Sequence, residues 1–167
     1  MAFDIFLLLD TIKGESTDDN HRDWIKLSSF SFGASNPASV GSGDSPISGQ
    51  PTLSNFMVTK ETDVASVNLF GACTQGKELK SMKVEVCTQS GNKIPIVVYE
   101  FKQVIVAGIQ WSGAGGTSDR PGESVSFAFG SVQVSYTPIN PNETAGTKIG
   151  PIAWNVLKNK PVMTSKL

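Results

Sequence analysis

The sequence has few charged residues, and this shortage excludes some classes of function and favours others. Charged residues make up only 17% of the 167 residues, against about 25% in an average globular chain. The formal net charge is −1, so no positive excess attracts phosphate, and we do not expect a nucleic-acid-binding protein. Surfaces that become buried against other subunits also lose Lys, Glu and Asp, so the same shortage favours an assembling protein.

Cysteine and histidine are scarce as well. Cys73 and Cys87 form no CxxC pair, and in sequence neither lies near His21, the one histidine. We interpret both thiols as small hydrophobic side chains in a reducing compartment. Without His or Cys neighbours for His21, we expect no metal site, no cofactor and no enzyme activity. The remaining acidic candidates lack the spacing of a calcium loop and are interpreted as turn residues: Glu15, Asp18, Asp19 and Asp23.

Long hydrophobic runs are missing too. The longest near the start, residues 6–9, has no basic region before it and is flanked by Asp4 and Asp10. We therefore predict neither a signal peptide nor a transmembrane helix, and we expect no stable membrane insertion.

Alternating apolar residues, typical of β-strands, recur along most of the chain. The pattern is clear in Phe3–Leu9 and resumes at residues 24–32, where the apolar residues move from odd to even positions at residues 28–29. That change predicts a β-bulge, and a similar change across Gly130 and Ser131 predicts a glycine bulge or kink that re-aims the strand. Further strands are predicted at residues 53–59, 82–88, 94–101, 104–111, 123–136 and 153–157.

One loop and one helix interrupt the strands. Residues 34–52 are rich in Gly and Pro and nearly free of large apolar residues, so they cannot hold a regular ladder and we interpret them as an arm ordered against a partner. An oxygen of Thr62 or Asp63 is placed to cap a helix over about residues 63–75, which Gly76 ends. We predict one mainly β domain over residues 1–160, a sandwich or small barrel with one flanking helix, and a short tail over 161–167.

The order and spacing of several short motifs resemble the hemolysin-coregulated proteins (Hcp) of bacterial type VI secretion systems. The motifs are the opening MAFDIFLLLD, KGEST followed by Asp18, His21 and Trp24, the aromatic-Ser-aromatic-Gly of residues 30–33, TKETDVASVNLFGAC with Gly76 and Lys77, SDRPGESVSFAFGSV with Tyr136, and GPIAWNVLKNK. The resemblance covers nearly the whole chain.

The resemblance implies a two-sheet β-barrel with one flanking helix. It also implies that six copies form a hexameric ring, and that rings stack into a tube carrying effector proteins in its lumen. A spike or tip protein and a contractile sheath would be further partners. Such a subunit is cytoplasmic before assembly and is then secreted by the machine without a signal peptide.

The resemblance also implies roles for particular residues. Ser31 is expected on the inner wall of the ring, where effectors are held. The arm, which departs from the family by carrying Pro46 and Pro51, is expected to reach neighbouring subunits. The expected subunit and stacking contacts are Ser39, Val40, Gly41, Ser42, Gly43, Asp44, Asp119 and Arg120. For Asp119 and Arg120, an ion pair within the chain is an equal alternative.

Two other functions compete with this interpretation. A phage tail-tube protein would share the architecture. A monomeric β-barrel would instead bind a small ligand in an interior cavity. Large apolar residues that we expect to point inward, Phe127, Phe129, Ile94 and Ile96, favour a filled interior over such a cavity.

Overall fold

Most of the predicted strands and the predicted helix form with some boundaries moved, and further short strands lie within residues 34–53 and 160–162. The computed structural model describes residues 2–41, 43, 45–89, 91–116 and 120–162. In chain order the elements are β1 Phe3–Leu9, β2 Ile25–Leu27, β3 Ser29–Ser31, β4 Ala34–Ser35, β5 Ala38–Ser39, β6 Ile47–Ser48, β7 Thr52–Leu53, β8 Phe56–Glu61, α1 Ser66–Gln75, β9 Glu78–Thr88, β10 Pro95–Ser112, β11 Gly122–Tyr136, β12 Ile149–Asn155 and β13 Lys160–Val162. Of the predicted tail, residues 161 and 162 belong to β13 and the remainder lies outside the described residues.

Nine of the strands form one antiparallel sheet. Its main order is β13-β12-β11-β10-β9-β1-β2, and β8 joins β11 and in turn carries β3. β10 pairs with β11 along nearly its full length. The other edge of β11 is shared, because β8 pairs with residues 122–127 and β12 with residues 131–136.

The sheet is not closed into a barrel, so that part of the expected fold class is wrong. β2 pairs with β1, whereas β3 pairs with β8, and the pairings of the described strands leave the sheet open between them. Ser28, between β2 and β3, donates its N–H to the Thr59 carbonyl at 2.8 Å. At residues 28–29, where the apolar pattern changes phase, the chain therefore leaves the ladder with β1 and begins a new one with β8.

The change of phase in β11 has a different structural cause from the one predicted. The β10–β11 register continues on both sides of Gly130, from Val132 opposite Phe101 to Phe129 opposite Val104, so a bulge at residues 130–131 is wrong for this ladder. The register shifts instead between residues 106 and 108. A Cβ at Gly130 would lie 3.1 Å from Leu157 Cδ1 and 2.7 Å from Gln103 Oε1. Glycine at this position thus lets the side chains of Gln103 and Leu157 approach closely where β11 changes partner from β8 to β12.

One hydrophobic core lies between the folded parts of the sheet and under α1. Its members come from β1, β2, β8, β9, β10, β11 and the helix. The Phe56 ring is fully buried, with the rings of Phe30, Phe32, Tyr99 and Phe101 centred 5.0–5.6 Å from it. Phe127 is fully buried and Phe129 packs against the core, while Ile94 and Ile96 are half-buried outside it. Aromatic rings fill the space that a ligand would need.

The helix begins a few residues later than predicted and ends where predicted. Asp63 precedes it, and its Oδ1 accepts the Ala65 N–H at 2.9 Å. Gly76 ends it in the left-handed region, at φ 61°, with its N–H bonded to the Cys73 carbonyl. Leu69 and Ala72 face the core. No helix in the described residues has the length and hydropathy to cross a membrane.

A buried ion pair joins the helix to the sheet. Lys60 of β8 has a fully buried side chain, and its Nζ donates to Glu123 Oε1 at 2.5 Å and to Asp63 Oδ1 at 2.8 Å. Ser66 Oγ and the Glu61 carbonyl are further acceptors, at 3.2 and 2.9 Å. The second Glu123 oxygen accepts from Trp111 Nε1 at 2.8 Å. A buried ammonium is tolerated only when its donors are paired in this way.

Removing one partner of this pair is expected to destabilise the fold strongly. Glu123→Ala leaves the Lys60 ammonium buried with one carboxylate fewer, and it should lower the free energy of unfolding by about 3–5 kcal/mol in urea denaturation. Glu78→Ala, at the exposed start of β9, is the matched control and should change it by less than about 0.5 kcal/mol. Equal stabilities for the two variants would show that the buried pair contributes nothing.

Candidate functional site

A small polar surface covers β3, β8 and the first half of β11. Across these strands Ser31 lies opposite Met57, which lies opposite Ser126. In the next row Ser29 lies opposite Thr59, which lies opposite Ser124. We call these six residues the hydroxyl face. Residues between them, such as Phe30 and Val58, point to the core because side chains alternate along a strand.

The hydroxyl face carries no charged side chain, and its members bond with one another and with their neighbours. Ser29 Oγ and Thr59 Oγ1 are 2.6 Å apart. Asn55 Nδ2 donates to Ser126 Oγ at 3.1 Å. Ser31 is exposed, and Met57, beside it, is 48% exposed. The surface therefore offers hydroxyl groups and one flexible apolar side chain to a partner.

The arm forms two short ladders of its own. β4 pairs with β7, and β5 with β6, in two-stranded sheets separate from the main one. The prediction that residues 34–52 hold no regular ladder is therefore wrong. Gly49 makes the inner ladder possible, since its N–H bonds to the Pro37 carbonyl at 2.8 Å and a Cβ on it would lie only 2.7 Å from the Pro37 ring.

Every described residue from 34 to 50 is nevertheless exposed. That includes the predicted contact residues Ser39, Val40, Gly41 and Gly43, whereas Ser42 and Asp44 lie outside the described residues. The two large apolar side chains of the arm, Val40 and Ile47, are 85% and 65% exposed. The arm thus buries almost nothing against its own chain.

Arg120 is exposed at the start of the segment leading into β11, and its Nη1 donates to Glu15 Oε1. Asp119 lies outside the described residues. Arg120 and Glu15 line a charged cleft of about 600 Å³ together with Asp18, Lys26 and Lys93. The intrachain ion pair of Arg120 is therefore made with Glu15, in the turn of residues 14–24 that we call the N-terminal turn, and the sequence did not predict this partner.

A cluster around His21 was missed by the sequence analysis. Residues 18–24 turn back over β9, and the His21 ring is buried with Nδ1 2.9 Å from Asp18 Oδ1 and Nε2 2.8 Å from Glu85 Oε2. Cys87 Sγ lies 3.6 Å from His21 Nε2. One signal was available in the sequence, because Glu85 and Cys87 are two residues apart and so share one face of a strand.

Hydrogen bonds and burial set the pKa values of the acidic groups in this cluster. Bonds from Lys93 and His21 lower the pKa of Asp18 to about 2. Burial raises the pKa of the Cys87 thiol to about 12, and the carboxylates of Glu85 and Asp18 add to the rise. Burial alone would raise the pKa of Glu85, but hydrogen bonds from Lys83 and His21 lower it. The carboxylates are therefore ionised and the thiol is protonated at neutral pH.

The residues predicted from sequence thus occupy three parts of the fold and form no single pocket. Of the described residues among them, Ser31 belongs to the main sheet, Ser39, Val40, Gly41 and Gly43 belong to the arm, and Arg120 lines the charged cleft.

Known proteins resemble the chain over nearly its full length. Residues 6–136 match the family described as "Type VI secretion system effector, Hcp". Protein hcp1 of Pseudomonas aeruginosa is 32% identical over 163 residues, which are 95% of this chain and 98% of that protein. A solved type six secretion system protein is 42% identical with a TM-score of 0.92, covering 96% of this chain and all of the other. Hcp1 from Salmonella typhimurium is 27% identical with a TM-score of 0.76, covering 97% of this chain and all of the other. The motifs, the fold and these relatives agree that the chain belongs to the Hcp family of type VI secretion proteins.

Proposed function

We propose that the chain is a structural subunit of the inner tube of a type VI secretion system. Six copies form a ring, rings stack into a tube, and the tube carries effector proteins in its lumen as it leaves the cell. The subunit is made in the cytoplasm and leaves through the machine itself. The chain acts by assembly and not as an enzyme, and its partners are further copies of itself, effectors, the spike or tip protein and the contractile sheath.

The exposed arm is the observation that carries this proposal. Ordering a backbone costs about 1–2 kcal/mol per residue in conformational entropy, which burial normally offsets. The arm is ordered in two ladders, yet residues 34–50 are exposed wherever they are described. Burial against a neighbouring subunit supplies the missing stabilisation, with the apolar side chains of Val40 and Ile47 as the natural contacts.

Open strand edges support assembly in the same way. β13, at one end of the main sheet, pairs with β12 on one side. The opposite end of the sheet is left open between β2 and β3. Unpaired edges invite contact with other chains, and a closed ring of head-to-tail contacts covers them while limiting growth to the stacking direction.

The hydroxyl face suits the inner wall of the ring. Small side chains at Ser29, Ser31 and Thr59 leave the passage open, and the lack of charge avoids tight binding to cargo of one sign. Ser31, which is exposed at the β3 end of its row beside Met57, is the residue we assign to effector contact. A monomeric ligand-binding barrel is disfavoured by the aromatic rings that fill the interior, and the family match favours secretion over a phage tail tube.

Enlarging Ser31 should impair cargo retention without affecting the ring. Ser31→Gln projects a longer side chain into the lumen, so we expect at least a tenfold loss of a co-expressed effector recovered with purified rings, while ring mass stays unchanged. Thr11→Gln, an equally exposed site outside the hydroxyl face, is the control and should retain the effector. Full recovery with Ser31→Gln would remove Ser31 from the effector-binding surface.

Replacing the arm should abolish rings while preserving the subunit fold. A Gly-Ser linker of equal length in place of residues 38–48 removes the exposed ladder of β5 and β6 and the side chains of Val40 and Ile47. We expect the hexamer mass to be lost in light scattering, with the melting temperature of the monomer within a few degrees of the value for a wild-type monomer obtained by dilution. A replaced arm that still gives hexamers would contradict its role in assembly.

A further inference from the structure

Three side chains of different chemical type meet beneath the N-terminal turn. A ring nitrogen of His21, a carboxylate oxygen of Glu85 and the Sγ of Cys87 all lie within 4.8 Å of one another, and all three residues are buried. Glu85 and Cys87 leave the same face of β9, and the turn of residues 18–24 places His21 over them. We propose that His21, Glu85 and Cys87 form a zinc-binding site. The inference does not depend on the tube function.

The distance between the nitrogen and sulfur ligands already fits a tetrahedral metal ion. With Zn–N of about 2.0–2.1 Å and Zn–S of about 2.3 Å, tetrahedral angles put the two ligand atoms about 3.6 Å apart. His21 Nε2 and Cys87 Sγ are 3.6 Å apart. A nitrogen and an oxygen ligand need a separation of about 3.4 Å, whereas Nε2 and Glu85 Oε2 are 2.8 Å apart. The Glu85 carboxylate has to shift, about 0.6 Å away from Nε2 and toward Cys87 Sγ, since a sulfur and an oxygen ligand need a separation of about 3.6 Å and the cluster extends to 4.8 Å.

The histidine ring is already oriented as a zinc ligand. Its Nδ1 bonds to Asp18 Oδ1 at 2.9 Å, so Nε2 is the nitrogen that faces Glu85 and Cys87. A carboxylate bonded to the second ring nitrogen is the usual support of a metal-binding histidine, since it fixes the ring and raises its basicity. Lys93 Nζ holds Asp18 at 2.5 Å. The Phe6 ring stacks on the imidazole with centroids 4.1 Å apart and planes 4° apart.

The donor set favours zinc over hard cations. Thiolate and imidazole are typical zinc ligands, whereas Mg²⁺ and Ca²⁺ prefer oxygen alone. Three protein ligands leave a fourth position for water. Glu85 lines an open cleft of about 320 Å³ from which that water can come. Binding forms one Zn–N, one Zn–O and one Zn–S bond to the protein, with Sγ and Nε2 both bound in their deprotonated forms and the displaced protons released to solvent.

Zinc in this position would fasten the N-terminal turn to the sheet. Backbone bonds join the two ends of the turn to each other, among them those from Gly14 N to the Asp23 carbonyl at 2.7 Å, from Asp23 N to the Ser16 carbonyl at 3.0 Å and from Ser16 N to the Trp24 carbonyl at 3.1 Å. The same turn carries Glu15, the partner of Arg120. The metal would therefore stabilise one wall of the charged cleft.

Zinc titration of the full chain tests the site directly. Protein freed of metal by dialysis against a chelator is titrated with Zn²⁺ in competition with a chromophoric chelator. We expect one Zn²⁺ per chain, with the affinity lowered at least tenfold by Cys87→Ser and unchanged by Cys73→Ser, since Cys73 is half-buried on α1. Asp18→Asn should weaken binding by 10–100-fold through the lost support of the ring.

Cobalt provides a readout that does not require Cys87→Ser to fold. In the Cys73→Ser variant, Cys87 is the one remaining thiol, so a thiolate-to-Co²⁺ charge-transfer band can arise only from Cys87. We expect this band in wild type and in Cys73→Ser at one equivalent of Co²⁺. Absence of the band in Cys73→Ser, failure of the folded wild type to bind zinc, or equal zinc affinity in wild type and a folded Cys87→Ser would each overturn the proposal.

Discussion

The architecture depends on how strand β11 is paired. One edge of β11 is covered by β10 along nearly its whole length, while the other edge serves β8 first and β12 afterwards. Gly130 lies at the change of partner, where any larger residue would meet Gln103 and Leu157. Because β8 brings β3 with it, this shared edge places Ser31, Met57 and Ser126 in one row and so creates the hydroxyl face. The buried pair of Lys60 and Glu123 stabilises the same β8–β11 contact.

Local patterns in the sequence predicted much of the fold. Alternation gave the bounds of β1, and Gly76 gave the end of the helix. It also placed most other strands, but it divided β10 into residues 94–101 and 104–111. The structure continues through Gln103, which adopts a positive φ of 53° that a non-glycine residue rarely takes. Partner changes at Ser28 and Gly130 were visible only as changes of phase, since the sequence does not say which strand lies on either side.

The candidate sites also have some features that local sequence patterns predict and others that only tertiary packing decides. The exposure of Ser31 follows from its alternation with Phe30 and Phe32, whereas the proposal that it faces the lumen of a ring rests on the family resemblance. The ladders of the arm are pairs of two-residue strands within a segment rich in Gly and Pro, so composition alone indicated a loop. The His21 cluster depends on a contact between residues 66 positions apart. Such contacts arise from tertiary packing, and the local sequence around His21 does not predict them.

The filled interior, the exposed arm and the uncharged hydroxyl face all indicate that this chain acts through contacts on its surface. The absolute mass of the purified protein, measured by light scattering at several concentrations with negative-stain images of the same peak, tests that account most directly. We predict a mass near six chains and annular particles. A mass of one chain at every concentration, without rings or stacks, would contradict it.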